Sequence, residues 1–187
     1  MSDAWKVELL RRDWRQYAAS GRAEDVRDGI LELMVADDES AADDAVSMIH
    51  SAMADQNGVF EVAIAGVQVL LLALGSAGNA IQDRGILSAI EYVCGTGLDP
   101  HADAASTVGQ VNKMVASGLW SFYSLLEHSD EEVASSALGL AMWADFDRNR
   151  AQVILASIAD SDNPLSETAK LISGQFWWRS RLAPEAS

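Results

Sequence analysis

The residues best suited to chemistry are five acids close together near the start of the chain. Asp37, Asp38 and Glu39 are consecutive, and Asp43 and Asp44 follow one helical turn later. Paired carboxylates can hold a magnesium ion for a diphosphate substrate, but that use needs an Asp-Asp-x-x-Asp spacing, which these residues do not have. The same five carboxylates can attract a basic protein surface. The pattern therefore favours a partner-binding role over a metal site.

The remaining reactive residue types show no catalytic spacing. His50, His101 and His128 fall on separate predicted helices or their caps, and none belongs to a Glu-x-x-His or His-Glu-x-x-His pattern. Cys94 is the only cysteine, which excludes an internal disulfide and a cysteine-rich zinc site. No nucleophile elbow, dinucleotide-binding glycine motif or phosphate-binding loop occurs. We therefore predict no catalytic residue, no metal and no cofactor.

The acidic charge is confined to the middle of the chain. The 187 residues carry 13 Lys and Arg against 28 Asp and Glu, a net charge of -15. The segments 1–27 and 148–187 are each net +1, whereas residues 28–147 hold two basic residues, Arg84 and Lys113, against 19 acids. Helix capping accounts for one or two acids per turn but not for a long stretch with almost no Lys or Arg. Solubility alone is the competing explanation.

This charge and the hydropathy pattern exclude several classes of function. A chain this acidic repels phosphate backbones and anionic lipid, so we predict neither a nucleic-acid partner nor a membrane partner. The N-terminus is charged throughout and has no apolar signal core, so a cytoplasmic location is expected. The apolar run Val59–Leu74 is too short for a membrane span, and we expect a central helix that is buried on all sides.

Apolar residues recur at helical spacing from end to end, and no segment alternates long enough to predict a strand. Faces with this spacing are Val7/Leu10/Trp14/Tyr17, Val26/Ile30/Leu33/Met34, Val46/Ile49/Met53, Ile86/Ile90/Val93/Cys94, Val108/Val111/Val115, Leu119/Phe122/Tyr123/Leu126, Val133/Ala137/Leu140/Ala144 and Ala151/Ile154/Leu155/Ile158. We predict an all-α protein of about ten helices in one domain, 1–187, with a frayed tail over 179–187.

Two segments resemble each other at a spacing of 32 residues. Ser129–Ala137 aligns with Ser161–Ala169, and an apolar residue followed four positions later by alanine occurs in both. In the first segment, Ser129 and Glu132 have the spacing of a capping box that starts a helix. An acidic turn followed by such a helix resembles the HEAT repeat family over roughly residues 99–176. The resemblance implies an α-solenoid of stacked helical hairpins. A compact helical bundle is the alternative architecture.

A solenoid would align equivalent turns along one edge. The acids Asp37, Asp38 and Glu39 would then form a ridge with acids of later turns, namely Asp99, Asp130, Glu131, Glu132, Asp160 and Asp162. Such a ridge speeds the capture of a basic partner. The paired tryptophans Trp177 and Trp178 lie near two arginines, and packing at the end of the core is the simpler explanation of the pair. The alternative is that one of them is exposed, and Trp178 is then the candidate for partner binding.

A small, all-helical, strongly acidic protein without catalytic residues is similar in type to the immunity proteins of bacterial toxin systems. Those proteins often occlude nucleases by presenting acid to a basic active site. The resemblance implies a cytoplasmic binding module that neutralises a basic protein partner, such as a toxin effector domain. A HEAT-like scaffold or adaptor without a toxin partner is one alternative. An enzyme whose site assembles from scattered residues is the other.

Overall fold

The computed structural model describes residues 3–96, 99 and 102–174. It divides into two compact units, Met1–Val115 (unit 1) and Ala116–Ser187 (unit 2). A compact unit is not by itself an independent folding domain, so the expectation of a single domain stays a prediction. The predicted tail over 179–187 lies outside the described residues.

Unit 1 is built mainly from helices. Its elements are α1 (Ala4–Arg11), a 3-10 helix (Trp14–Gln16), α2 (Glu24–Leu33), α3 (Glu39–Met53), strands β1 (Ala54–Asp55) and β2 (Gly58–Val59), α4 (Val62–Leu74), α5 (Ala80–Gly95) and α6 (Thr107–Ser117), whose last two residues belong to unit 2. Helix α2 packs on α3 and α4 packs on α5. In addition, α3 packs on α5, and α1 packs on α4. The predicted faces of α2, α3 and α5 meet in the core, because side chains such as Ile30, Ile49 and Ile90 are fully buried.

Unit 2 is also helical throughout its described part. Its elements are α7 (Leu119–Ser124), a 3-10 helix (Leu125–Glu127), α8 (Glu131–Ala144), α9 (Arg148–Ala159) and α10 (Ser166–Gly174). Helix α7 packs on α8, α9 packs on α10, and α8 contacts α10. The side chains equated at the 32-residue spacing, Val133 with Leu165 and Ala137 with Ala169, are all buried. The helices start differently, however, because α8 begins before Val133 whereas α10 begins after Leu165.

Five described helices begin at a side chain that accepts a backbone N–H of the first turn. Asp38, Asn79, Ser106, Asp130 and Asp147 accept from the residue three positions later at 2.9–3.1 Å. The prediction that Ser129 caps α8 is wrong by one position, because Asp130 accepts from Val133. A carboxylate is the stronger acceptor for this N–H. Acids at these positions therefore start helices in addition to carrying charge.

The N-terminal stripe was predicted as one helical face, and the structure corrects it. Val7 and Leu10 are 65% and 60% exposed, whereas Glu8 and Leu9 are buried. The helix ends at Arg11, and Trp14 lies in the following 3-10 helix with its Nε1–H bonded to the Leu9 carbonyl at 2.9 Å. The stripe from Val7 to Tyr17 therefore spans an α-helix and a separate 3-10 helix, so its residues do not share one helical face.

Ion pairs explain why the buried side of α1 contains a carboxylate. Arg11 and Arg12 both pair with Glu8. The pKa of Glu8 is held below its usual value, and the hydrogen bond from Arg11 is the largest cause. Arg12 also donates to the Gln68 side chain of α4 at 2.5 Å and to the Tyr17 hydroxyl at 3.0 Å. These bonds tie α1 to α4 through polar groups, which apolar periodicity does not reveal.

The apolar run Val59–Leu74 is only partly a buried helix. Val59 pairs with Ala54, and Gly58 with Asp55, in an antiparallel hairpin, where Gly58 has a φ of 122°. These two-residue strands are too short to produce a visible alternation in the sequence. The helix that follows, α4, has Leu72 40% exposed. The expectation of burial on all sides is therefore wrong for one edge of α4.

Candidate functional site

Five acids form an exposed surface on unit 1 where α2 turns into α3. We call Asp37, Asp38, Glu39, Asp43 and Asp44 the acidic surface, and the structure places all five in exposed positions. Asp37 and Asp38 precede α3, and Glu39 is its first residue. Asp43 and Asp44 lie about one turn further along the same helix. These residues lie close to one another because three of them belong to α3 and the other two directly precede it.

Local contacts compensate two of the five carboxylates. Asp38 accepts from the Ala41 amide at 2.9 Å, and Glu39 pairs with Arg84 of α5 at 3.2 Å. The side chains of Asp37, Asp43 and Asp44 form no ion pair or hydrogen bond with any other described residue. Their negative charge is therefore available to a ligand, while Asp38 is partly committed to starting the helix.

An apolar side chain lies beside the acidic surface. Val35, two residues before Asp37, is 78% exposed, and Glu32 on the last turn of α2 is exposed as well. An exposed β-branched residue close to several acids gives the turn a small apolar contact point within a negative field. Interfaces combine such apolar contact points with a charged rim.

Three of the acids predicted to extend the ridge, Asp130, Glu131 and Glu132, lie in unit 2 at the start of α8. Asp130 is half-buried and caps the helix by accepting from the Val133 amide at 3.1 Å. Glu131 and Glu132 occupy its first turn and are exposed. Acids are stabilising at this end of a helix because of the macrodipole. The structural role of Asp130 is thus established, whereas a continuous ridge stays a prediction.

Sequence reasoning missed the exposed tryptophan that the structure does describe. Trp178 lies outside the described residues, but Trp120 on α7 is 66% exposed. Phe146, in the turn between α8 and α9, is 46% exposed. The sequence did contain a signal, because Trp120 falls outside the Leu119/Phe122/Tyr123/Leu126 stripe that was predicted to face the core. Exposed aromatic side chains are enriched in protein-binding sites.

Trp120 is held by a network of side chains within unit 2. The Arg150 guanidinium lies over its indole, 5.3 Å from the ring centroid, and the Trp120 and Tyr123 rings are 5.8 Å apart. Arg150 donates two hydrogen bonds to Asp145, at 2.6 and 2.7 Å. The Tyr123 hydroxyl donates to the same carboxylate at 2.5 Å. A fixed cation beneath an exposed indole orders the aromatic side chain before any partner arrives.

The charges in this network depend on one another. Burial acts to raise the pKa of Asp145, but the hydrogen bonds from Arg150 and Tyr123 outweigh it and hold that pKa below its usual value. Burial, followed by the bond to Asp145, raises the pKa of Tyr123. The carboxylate is therefore ionised and the phenol is neutral across the physiological range, so the network is stable near neutral pH.

The histidines of the described part are structural in their contacts. His50 is half-buried, its Nε2 lies 3.3 Å from the Ser88 carbonyl, and its ring stacks on Tyr92 at 4.1 Å. Burial lowers the pKa of His50. His101 lies outside the described residues. Among the residues that the structure describes, no three His, Cys, Asp or Glu side chains are grouped so that they could hold a metal ion.

A pocket of about 270 Å³ opens in unit 2 between the start of α8 and the turn before α10. Leu126, Ala134 and Leu165 supply apolar wall, and Glu127 and Glu131 supply carboxylates. His128 also lines it, and its Nδ1 accepts from the Asp130 amide at 3.0 Å, which assigns the ring proton to Nε2 when the ring is neutral. The pocket combines an apolar wall with a negative rim, and sequence reasoning did not foresee it.

Comparisons with protein-family models, with curated proteins and with solved structures find no match to this chain. Within the described ranges, no helix has both the length and the apolar character needed to cross a bilayer.

Proposed function

We propose that this protein is an acidic binding module that neutralises a basic protein partner, and that it acts as an immunity protein which occludes a bacterial toxin. The observation that carries the proposal is the uncompensated charge of unit 1. Within unit 1, residues 28–115 hold 13 acids and two basic residues, and Asp37, Asp43 and Asp44 are exposed without a side-chain partner among the described residues. A surface of this kind focuses the field and accelerates association with a positive surface.

Charge alone gives rate and orientation, so tight binding also needs side chains that lose water at the interface. Val35 beside the acidic surface and Trp120 in unit 2 are exposed apolar side chains of the required kind. Each lies in its own compact unit, and each is proposed as a contact in its own right. The proposal assigns the protein no catalytic activity, no metal and no cofactor, and it assigns a cytoplasmic location.

The order of helix contacts supports a HEAT-like architecture for this module. In unit 1, α2 and α3 form one pair, α4 and α5 form the next, and α3 packs on α5. In unit 2, α7 pairs with α8, α9 pairs with α10, and α8 contacts α10. Stacked helical hairpins produce contacts in this order. A scaffold or adaptor without a toxin partner would use the same architecture, so identification of the partner decides between the two.

The test begins with the partner, isolated by copurification from the native host, and continues with association rates at several salt concentrations. Converting Asp37, Asp43 and Asp44 to Lys removes free carboxylates and leaves the helix cap at Asp38 intact. We expect association to slow by about tenfold or more, and wild-type rates to fall with added salt. Dissociation should change less, since these acids lie at the rim of the contact.

A control variant separates the site from net charge. Converting Asp3, Glu61 and Glu167 to Lys changes the total charge by the same amount at exposed positions outside the predicted ridge. Association that slows equally in both variants would assign the effect to overall charge. Rates that respond to neither variant nor to salt would leave the acid as a solubility feature and remove the proposal.

A further inference from the structure

The pocket of unit 2 has the chemistry of a receptor for a long basic side chain. Ala134 and Leu165 are buried and Leu126 is half-buried, so the wall offers apolar surface to a methylene chain. Glu127 and Glu131 are exposed and place two carboxylates on the same pocket. Lysine and arginine bury an apolar stem and keep a charged head at a polar rim, which is the distribution that this pocket complements.

The two carboxylates are not neutralised by the described part of the chain. Neither Glu127 nor Glu131 forms an ion pair or side-chain hydrogen bond with another described residue, and no lysine or arginine is among the described residues that line the pocket. Two of the other polar side chains at the pocket already form hydrogen bonds within the chain. The Nδ1 of His128 accepts from the Asp130 amide, and Oδ1 of Asn163 accepts from the Leu165 amide at 2.8 Å.

The N-terminus of α8 repels a cation less strongly than an uncapped helix N-terminus would. Asp130 accepts from the Val133 amide at 3.1 Å, so its carboxylate compensates part of the positive helix end. The macrodipole acts as about half a positive charge at the N-terminus of a helix. Glu127 and Glu131 add two full negative charges at the pocket, and these outweigh that partial charge for a positive ligand. The electrostatic balance of the pocket therefore favours a cation over an anion or a neutral group.

We propose that this pocket receives a lysine or arginine side chain of a partner protein. The apolar wall holds the stem, while Glu127 and Glu131 hold the charged head. For the basic partner of the proposed function, this would be a specific contact on unit 2, distinct from the acidic surface of unit 1. The test uses small probes, so its outcome is independent of whether the proposed toxin partner exists.

The experiment measures binding of three probes by amide chemical shifts in two-dimensional NMR. The probes are the N-acetyl, N′-methylamide derivatives of lysine, arginine and norleucine; norleucine has a four-carbon apolar side chain without the ammonium of lysine. We expect saturable shifts of the amides of residues 126–131, Asn163 and Leu165 for lysine, arginine or both. Norleucine should bind at least tenfold more weakly, and added salt should weaken the basic probes. The comparison of the two basic probes tells which of them the pocket prefers.

Matched variants localise the effect. Glu127→Gln with Glu131→Gln keeps the shape and removes two charges, and binding of the basic probes should fall at least tenfold. Asp3→Asn with Glu61→Gln removes two exposed charges of unit 1 and should leave binding within about twofold. Binding of norleucine as tight as that of lysine, equal losses in both double variants, or no shift at the pocket with either basic probe would each overturn the proposal.

Discussion

Asp145 and Arg150 form a bidentate ion pair in which the carboxylate is fully buried and the guanidinium reaches the surface. The Asp145 side chain is 0% exposed and that of Arg150 is 35% exposed. Through Arg150, the interior of unit 2 contacts the exposed ring of Trp120. The carboxylate thus fixes a cation, and the cation orders an aromatic side chain that solvent reaches.

Removing the charge at Asp145 should destabilise the fold. In Asp145→Asn, the bonds from Arg150, the Tyr123 hydroxyl and the Asp147 amide lose a charged acceptor. We expect a loss of about 2 kcal/mol in the free energy of unfolding, measured by urea denaturation. Asp37→Asn is the control, since its side chain is exposed and has no partner among the described residues. A loss of equal size in that control would show that the network is not the cause.

The stability difference between the wild type and Asp145→Asn should depend on pH. The pKa of Asp145 is lowered on folding, so the ion pair stabilises the protein fully above the ordinary carboxyl pKa of ~4. That contribution is lost as the pH falls through the folded pKa. Urea midpoints should therefore differ by a constant amount between about pH 5 and 7 and converge below about pH 4. A difference that widens in acid would contradict the sign of the shift.

Trp120→Ala should separate binding from stability. The side chain is 66% exposed, so its removal should cost no more than about 1 kcal/mol of stability, mainly through the lost contact with Arg150. Affinity for the partner should fall tenfold or more, with the change mostly in dissociation. Val153→Ala, at a 69% exposed position of α9, serves as the control and should leave affinity nearly unchanged. Equal affinity losses in the two variants would assign Trp120 no special role.

Glycine at the contact of α2 and α3 sets how closely these helices approach. A Cβ on Gly29 would lie 2.9 Å from the Ala45 carbonyl oxygen and 2.8 Å from Ile49 Cγ1. Gly29→Ala should therefore force the helices apart and cost about 1–3 kcal/mol of stability in urea denaturation. Gly75→Ala meets no atom within 4 Å and should be neutral or slightly stabilising. Similar stabilities for the two variants would show that α2 and α3 can move apart without loss of stability.

Helical periodicity predicted most of the core but not its interruptions. Ile30, Ile49 and Ile90 lie on predicted faces and are fully buried, because α3 and α5 continue through their whole apolar stripes and α2 ends with the last residue of its stripe, Met34, as its C-cap. Val7 and Leu10 are exposed because the chain leaves the helix at Arg12, where ψ is 140°. Periodicity assumes an unbroken helix, and buried ion pairs such as Glu8 with Arg12 carry no apolar signal.

The candidate site was predictable only where it is local in sequence. The five acids of the acidic surface belong to one helix and its approach, so their shared location and exposure follow from helical geometry. Trp120 and Arg150 are thirty positions apart, on α7 and α9, and only the packing of unit 2 brings them together. The pocket likewise needs the start of α8 and the turn before α10, which no spacing rule relates.

Two nearby leucines of α4 differ in burial, so their truncation should affect stability differently. Leu70 is 0% exposed and faces the core of unit 1, whereas Leu72, two residues later, is 40% exposed. Leu70→Ala removes buried methyl groups and leaves a cavity, which costs about 2–5 kcal/mol. Leu72→Ala should cost less than about 1 kcal/mol, because part of its side chain already contacts water. Urea denaturation of both variants measures the difference, with circular dichroism at 222 nm reporting helix content. Equal large losses of stability would show that α4 is buried on all sides, as the sequence predicts. Equal small losses of stability would mean that α4 does not form the core of unit 1.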